Sequence, residues 1–388
     1  MEDPEEWRRK RAIERYLRGE NPRTICTCLG RTEAWFYRWL RRSHSGGTQW
    51  YRERSRRPAQ TPSRLSVEIE EIVKFVRLAL YNEGEFCGAQ AILWRLEDAG
   101  VRPLPSLRTI NRILARHALT HRRTGRYEAK GKRYPAFEAA RPGAVHQADF
   151  VGPCYLQTRL RFYSLNTVDL ATGRCGVEPV VLGKDHVVEA LWATWVRLGI
   201  PKYLQVDNEV VFYGSPKHPR GMGKLIRLCL PQGIEPCFTP LGEPWWNGVV
   251  EKSNDLWQQK FLGRVYMESE EDLQRESLAF EERHNSRYRY SKLGGKTALE
   301  SLAARKVPLR FPATETLPKL PLPKPKSGRY HIVHFIRGDG KFNLFGEWFA
   351  VPPQAIYEYV RATVDVGRQR LYFRLDGNLL DEQEYCRR

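Results

Sequence analysis

A chain of 388 residues holds two or three domains at roughly 100–200 residues each, so a single small module is excluded. With 41% hydrophobic and 28% charged residues, the composition is that of a folded protein and excludes disorder over most of the length. The 64 lysines and arginines exceed the 45 acidic residues by a formal +19, a balance that suits nucleic acid and is awkward for most small-metabolite enzymes.

No apolar run reaches the roughly 18–20 residues of a membrane span, and the start, MEDPEEWRRK, lacks a secretory apolar stretch, so an intracellular protein without a membrane partner is expected. Residues 1–143 carry 30 basic against 17 acidic residues, which concentrates the positive charge at the front. Three helices are predicted there: Glu5 to Leu17, Pro22 to Leu29 and, after a Gly30-Arg31 turn, Thr32 to Arg42. This is a helix-turn-helix pattern. Thr32 is placed to cap the third helix, with Trp35, Phe36, Trp39 and Leu40 for the core and Arg38, Arg41 and Arg42 left for DNA.

The stretch from Ser43 to Arg64 is rich in Gly, Ser, Pro and Arg without helical or alternating period, a basic linker whose Arg56 and Arg57 suit phosphates. A second trihelical unit follows over Ser66 to Tyr81, Gly88 to Asp98 and Ser106 to His117. Its last helix repeats Arg108, Arg112 and Arg116 at one-turn spacing, as a second DNA-reading face would. Another basic stretch, 119–143, closes this half.

The pattern changes at Gly143. Residues 144–152, 159–169 and 174–182 alternate as three antiparallel strands, a helix runs from His186 to Leu198, and a short apolar strand spans Tyr203 to Val206. The order βββαβ is that of an α/β or α+β core around a mixed sheet. Beyond Lys306, prolines at 308, 312, 318, 321, 323 and 325 forbid a helix and favour an extended connector. From Gly328 alternation returns, with turns at Gly338-Asp339-Gly340 and Asp376-Gly377, and a small β-barrel is expected.

Three acids in the middle stand out. Asp149 interrupts an apolar strand, where a charge is costly unless it is used; Asp207 ends the strand YLQV; Glu251 follows a turn near the start of an apolar-striped helix. Only a sheet that sets the first strand beside the fourth, with that helix across their ends, unites them. Grouped carboxylates repel, and hard divalent cations relieve the repulsion. Two Mg²⁺ ions, with Mn²⁺ as substitute, are therefore expected on Asp149, Asp207 and Glu251, the arrangement that in-line phosphodiester chemistry uses.

The contexts of Asp149, of Asp207-Asn208 and of Pro244-Trp245-Trp246-Asn247-Gly248-Val249-Val250-Glu251 resemble the DDE catalytic core of retroviral integrases and bacterial insertion-sequence transposases. The stretches Arg283-His284-Asn285 and Lys292 to Ala298 are similar to the end of that core in the bacterial members, and residues 86–118 to their second DNA-reading unit. The resemblance implies a multidomain chain: helix-turn-helix units over 1–42 and 65–120, basic linkers over 43–64 and 121–143, a ribonuclease-H-like α/β core over 144–306, a Pro-rich linker over 307–327 and a small β-barrel over 328–388. It also implies a DNA transposase or integrase that binds double-stranded element ends as a homo-oligomer, frees 3′-OH ends and joins them to target DNA. Such a protein would be cytoplasmic and nucleoid-associated in a bacterium. The alternatives are a nuclease that stops after hydrolysis and a non-catalytic DNA-binding regulator. Two departures stand: Glu209 follows Asp207-Asn208 where many members have Gly, and a Gly/Pro/basic insertion over Tyr213 to Lys224 lengthens the interval to Glu251, read as a loop over the active site.

Other conspicuous residues have ordinary roles. Asp169 is expected to cap a turn, Asp185 to cap a helix, His146 to be buried on the face opposite Asp149, and Trp245 and Trp246 to pack. The eight cysteines form no CxxC pair, and Cys26, Cys28 and His44 are one ligand short of a zinc site, so reduced thiols are expected.

Overall fold

The computed structural model describes residues 3–45, 47–53, 65–120, 135–181, 186–214, 220–240 and 243–386. The chain separates into two compact units, Met1–Ser66 and Val67–Arg388. In the first, α1 (Pro4–Leu17) starts where the Asp3 side chain accepts the Glu5 N–H, and α2 (Pro22–Leu29) where Asn21 accepts from Arg23. Gly30, at φ 62°, ends α2 in the left-handed region, and the Thr32 hydroxyl accepts the Trp35 N–H at the head of α3 (Glu33–Ser45). Ala12, Ile13, Ile25, Cys26 and Phe36 meet in the middle of this trihelical unit.

The second unit opens with α4 (Val67–Asn82), α5 (Ala89–Asp98) and α6 (Leu107–Arg116), the last capped by Ser106 through the Thr109 N–H. Next come β1 (Val145–Tyr155), β2 (Arg161–Asp169), β3 (Cys175–Val180), α7 (Val187–Leu198) and β4 (Tyr203–Val206). The succession continues with α8 (Val210–Tyr213), α9 (Lys224–Cys229), β5 (Glu235–Phe238), α10 (Gly248–Trp257), α11 (Glu270–Arg287), β6 (Arg289–Tyr290), β7 (Lys296–Thr297) and α12 (Ala298–Arg305). It ends in β8 (Arg329–Phe335), β9 (Lys341–Leu344), β10 (Glu347–Ala350), β11 (Tyr359–Asp365), β12 (Arg370–Leu375) and β13 (Asn378–Glu384).

Nine of these strands form one sheet in the order β13-β12-β11-β8-β5-β4-β1-β2-β3. The pairs β1–β4, β4–β5 and β5–β8 are parallel and the rest antiparallel, so the expected mixed sheet is present. Its largest core packs α7 and α9 on one face, with Leu191, Trp195, Leu225 and Ile226 against Leu204, Val206 and Phe238. On the other face Val250, Trp257, Phe261 and Phe280 pack against Phe162, Val168 and Val177. The β3 edge is closed by α11: Asn285 accepts from the Cys175 N–H and donates to its C=O, and Glu281 accepts from the Val177 N–H.

The small β-barrel expected over 328–388 is not closed by the strand ladders. Strands β8, β11, β12 and β13 prolong the central sheet, Cys237 pairing with His331 and Phe238 with Ile332, while β9 and β10 form a separate hairpin. Phe342 and Phe349 of that hairpin pack on Phe373, covering an apolar face that alternation alone assigned to a barrel interior. The Asp376-Gly377 turn between β12 and β13 forms as expected, with φ 48° and 87°, the pair of positive values that a two-residue hairpin turn demands. Tyr213 to Lys224, read as a loop, is bounded by the end of α8 and the start of α9, and its residues 215–219 lie outside the described ones. No helix among the described residues is long and apolar enough to cross a membrane.

Candidate active site

Strands β1 and β4 run parallel with Gln147 opposite Gln205, and two residues further along each chain stand Asp149 and Asp207. Side chains two apart on a strand share a face, so both aspartates lie just beyond the same end of the β1–β4 ladder. Helix α10 lies across that end, tied down where Asn247 Nδ2 donates to the Ala148 C=O, 3.2 Å away. Its Asn254 Nδ2 donates to Asp149 Oδ2 at 2.8 Å, and Asn254 Oδ1 accepts from Asn166 Nδ2 at 2.9 Å; Asn166 Oδ1 in turn accepts from the Ser164 hydroxyl. Asp207 Oδ1 accepts the Glu209 N–H, a tight turn that fixes the strand end.

The electrostatics link Asp149 with Glu251, and Glu251 with Asp207. Burial, then the carboxylates of Glu209 and Glu251, push the Asp149 carboxyl up to about 6 against hydrogen bonds from Phe150 and Asn254. Burial, then Asp255 and Asp207, raise Glu251. Among the described residues no group of three or more His, Cys, Asp or Glu side chains stands ready to hold an ion, so Asp149, Asp207 and Glu251 are neighbours in charge and not a preformed cage. The donor set nevertheless fits a hard divalent cation: it is all oxygen, and it consists of carboxylates, of which Glu251 raises Asp149 and Asp207 raises Glu251.

A pH dependence follows. Asp149 ionises near 6 in the folded chain against a reference of 3.8, so its contribution to stability is fully present below the lower value and lost as pH rises through the upper one. At neutral pH the loss amounts to about 3 kcal/mol at most. In excess chelator, Asp149→Asn should flatten this acid-side stability and raise the neutral-pH melting temperature; equal slopes for both proteins between pH 4 and 7 would contradict the burial of this charge.

A 3-10 turn over Pro244–Asn247 precedes α10, and Glu251 lies in the first turn of the helix, near its start as expected. The apolar stripe is as expected, Val250, Trp257 and Phe261 being buried, and a five-residue π turn over Gln258–Leu262 prolongs it. Glu243 is engaged elsewhere: its Oε2 accepts from Trp246 Nε1 and from the Tyr359 hydroxyl, each at 2.5 Å. Trp246 packs on Tyr359, in keeping with a packing role, while the Trp245 side chain lies outside the described residues. Asp255 is exposed and pairs with Lys252 at 3.5 Å.

Asp169 accepts from the N–H groups of Ala171, Thr172 and Gly143; burial opposes its charge, but His146 and these donors outweigh it and hold the carboxyl at about 2. His146 is buried beside it, Nε2 3.3 Å from Asp169 Oδ2. All eight cysteines are free. Asp185 lies outside the described residues. Sequence reasoning missed Asn254 and Asn166, which look like ordinary polar residues until the fold joins them to Asp149.

In the first unit Arg38 and Arg41 are exposed on α3, whereas Arg42 is half-buried, donating to the Arg52 C=O and lying over the Trp39 ring. On α6, Arg108 and Arg112 are exposed, and Arg116, also exposed, is ion-paired with Glu70. Arg56 and Arg57 lie outside the described residues.

Residues 3–49 match the family model of a homeodomain-like domain, which spans α1 to α3. Among solved structures, the HTLV-2 integrase catalytic core domain in complex with magnesium, in its dimeric form, aligns over 42% of this chain and 99% of its own, at 18% identity and TM-score 0.33. Its trimeric form aligns over 41% and 96%, at 17% identity and TM-score 0.32. A chain of the simian T-cell lymphotropic virus intasome in complex with PP2A regulatory subunit B56 gamma covers 75% of this chain and 88% of its own, at 14% identity and TM-score 0.38. At these identities and scores the alignments assign no role to any residue here.

Proposed function

We propose that the chain is a DNA transposase or integrase that binds the ends of its element, hydrolyses a phosphodiester to free a 3′-OH and joins that hydroxyl to target DNA. The observation that carries the reading is the placement of Asp149 and Asp207 just beyond the last parallel pair of β1 and β4, with Glu251 on α10, Asp149 sensing the charge of Glu251 and Glu251 that of Asp207. Asp149, Asp207 and Glu251 would hold two Mg²⁺ ions, with Mn²⁺ as substitute. When bound, such ions lower the pKa of an attacking hydroxyl and stabilise the leaving oxygen. Asn254 keeps one Asp149 oxygen oriented, and the Glu209 N–H does the same for Asp207. The chain acts on double-stranded DNA as a homo-oligomer, within the division into two helical DNA-reading units, core and C-terminal strands set out above.

The test is an assay for joined products with candidate end DNA. Joining should proceed with Mg²⁺ or Mn²⁺ and fail with Ca²⁺, which prefers looser, higher coordination. Full joining in excess chelator would remove the two-metal reading. Cleavage without joined products would instead favour a nuclease, and neither product a DNA-binding regulator.

The arginines divide into two groups. The net positive charge of 1–143 should make binding steeply salt-dependent through counterion release. In the full chain, Arg38→Ala or Arg112→Ala should relax site preference, whereas Arg56→Ala or Arg57→Ala should weaken all DNA alike. Competition between end DNA and random DNA distinguishes them; equal losses on both for all four variants would refute the division.

A further inference from the structure

The glutamines two residues before each aspartate do something that the carboxylates alone do not explain. Gln147 and Gln205 are 4% and 3% exposed and stand opposite each other on β1 and β4. Both reach the same atom: Gln147 Nε2 donates to the Trp246 C=O at 3.3 Å and Gln205 Nε2 donates to it at 2.8 Å. The other end of Gln147 is used as well, its Oε1 accepting the Val250 N–H at 3.1 Å. That N–H belongs to the first turn of α10, where a helix leaves its donors without internal partners, and Asn247 offers no side-chain cap. Gln147 therefore caps α10 from across the sheet, and Gln205 doubles the hold on the turn that leads into it.

We propose that Gln147 and Gln205 are positioning residues: a paired clamp that sets the register of Glu251 against Asp149 and Asp207. The pattern is internally consistent. Alternation along each strand places the glutamine and its aspartate on one face, and the β1–β4 register places the two glutamines side by side. A carbonyl has two lone pairs and can take both donors. Since Trp246 and Val250 bracket the entrance to the helix, movement of either shifts Glu251 along or about the helix axis. The strands thus carry, in one row, the acids that bind and, in the adjacent row, the amides that bring the third acid to them. The clamp rests on the functional reading above.

The test uses the full-length protein and Mn²⁺ alone, read by the rise in melting temperature as the ion is titrated, together with hydrogen exchange at the Val250 amide. Gln147→Met and Gln205→Met keep the side-chain length and remove the hydrogen bonds. Gln147→Met should raise the Mn²⁺ midpoint by about 10-fold or more, the scale on which loss of residues supporting a metal ligand acts, and speed exchange at Val250. Gln205→Met, which leaves both Gln147 bonds in place, should give a smaller shift of the same sign. If Gln147→Met fails to fold, the Gln205→Met midpoint decides. Val177→Ala on β3 supplies a matched control: it should melt lower with an unchanged midpoint. A wild-type midpoint in both glutamine variants, with the Mn²⁺ response abolished in Asp149→Asn, would overturn the clamp and leave the function intact. A full Mn²⁺ response in Asp149→Asn would remove the functional reading and the clamp together.

Discussion

Asp149→Asn and Asp207→Asn should each abolish cleavage and joining, by at least about 10³-fold, while end binding stays at the wild-type level. Asparagine keeps the shape and the acceptor for Asn254 or for the Glu209 N–H, so what is lost is the negative charge that a divalent ion needs. Neither aspartate lies on α3 or α6, so binding and chemistry should separate in a gel-shift and a product assay run side by side. Loss of end binding in step with loss of cleavage would mark the aspartates as structural.

An equally large effect is expected at Glu251, with its two acidic neighbours as controls. Glu251→Gln should lose both steps. Asp255→Asn should keep most activity, because this carboxylate is exposed, paired with Lys252 and one helical turn, about 6 Å, further along. Glu243→Gln should also keep it: the amide oxygen of glutamine still accepts from Trp246 and Tyr359, so the turn before α10 keeps its anchor. An inactive Asp255→Asn beside an active Glu251→Gln would place the third carboxylate one turn further along α10 than Glu251.

What could be read from the sequence followed from local cost. Asp149 was conspicuous because a charge within an apolar strand needs a use, and Asp169 because it precedes a turn it can cap. The first four strands of the sheet and the six front helices carry their own punctuation in Pro, Gly, Ser, Asn and alternation. Partnership across the chain carries no such mark. Nothing in HIVHF says that β8 will pair with β5 rather than close a barrel, since alternation fixes which face is apolar and leaves the neighbouring strand open. Gln147, Gln205, Asn166 and Asn254 were invisible for the same reason: an amide side chain is unremarkable until its partner, far off in sequence, is folded against it.

The side chains of α11 that occupy the β3 margin have a bearing on assembly. A bare strand margin invites another chain to pair with it, and here the N–H of Val177 and both backbone groups of Cys175 are already taken by Glu281 and Asn285. At the opposite margin, β13 carries Asp381, Glu382 and Glu384, the last two 3.6 and 3.9 Å from Arg370, so charged side chains line this margin too. Neither margin therefore favours growth of the sheet from one copy into the next. Under the proposed function, copies gathered on DNA would meet through helices, loops or the nucleic acid itself and would come apart again without unzipping a β-ladder.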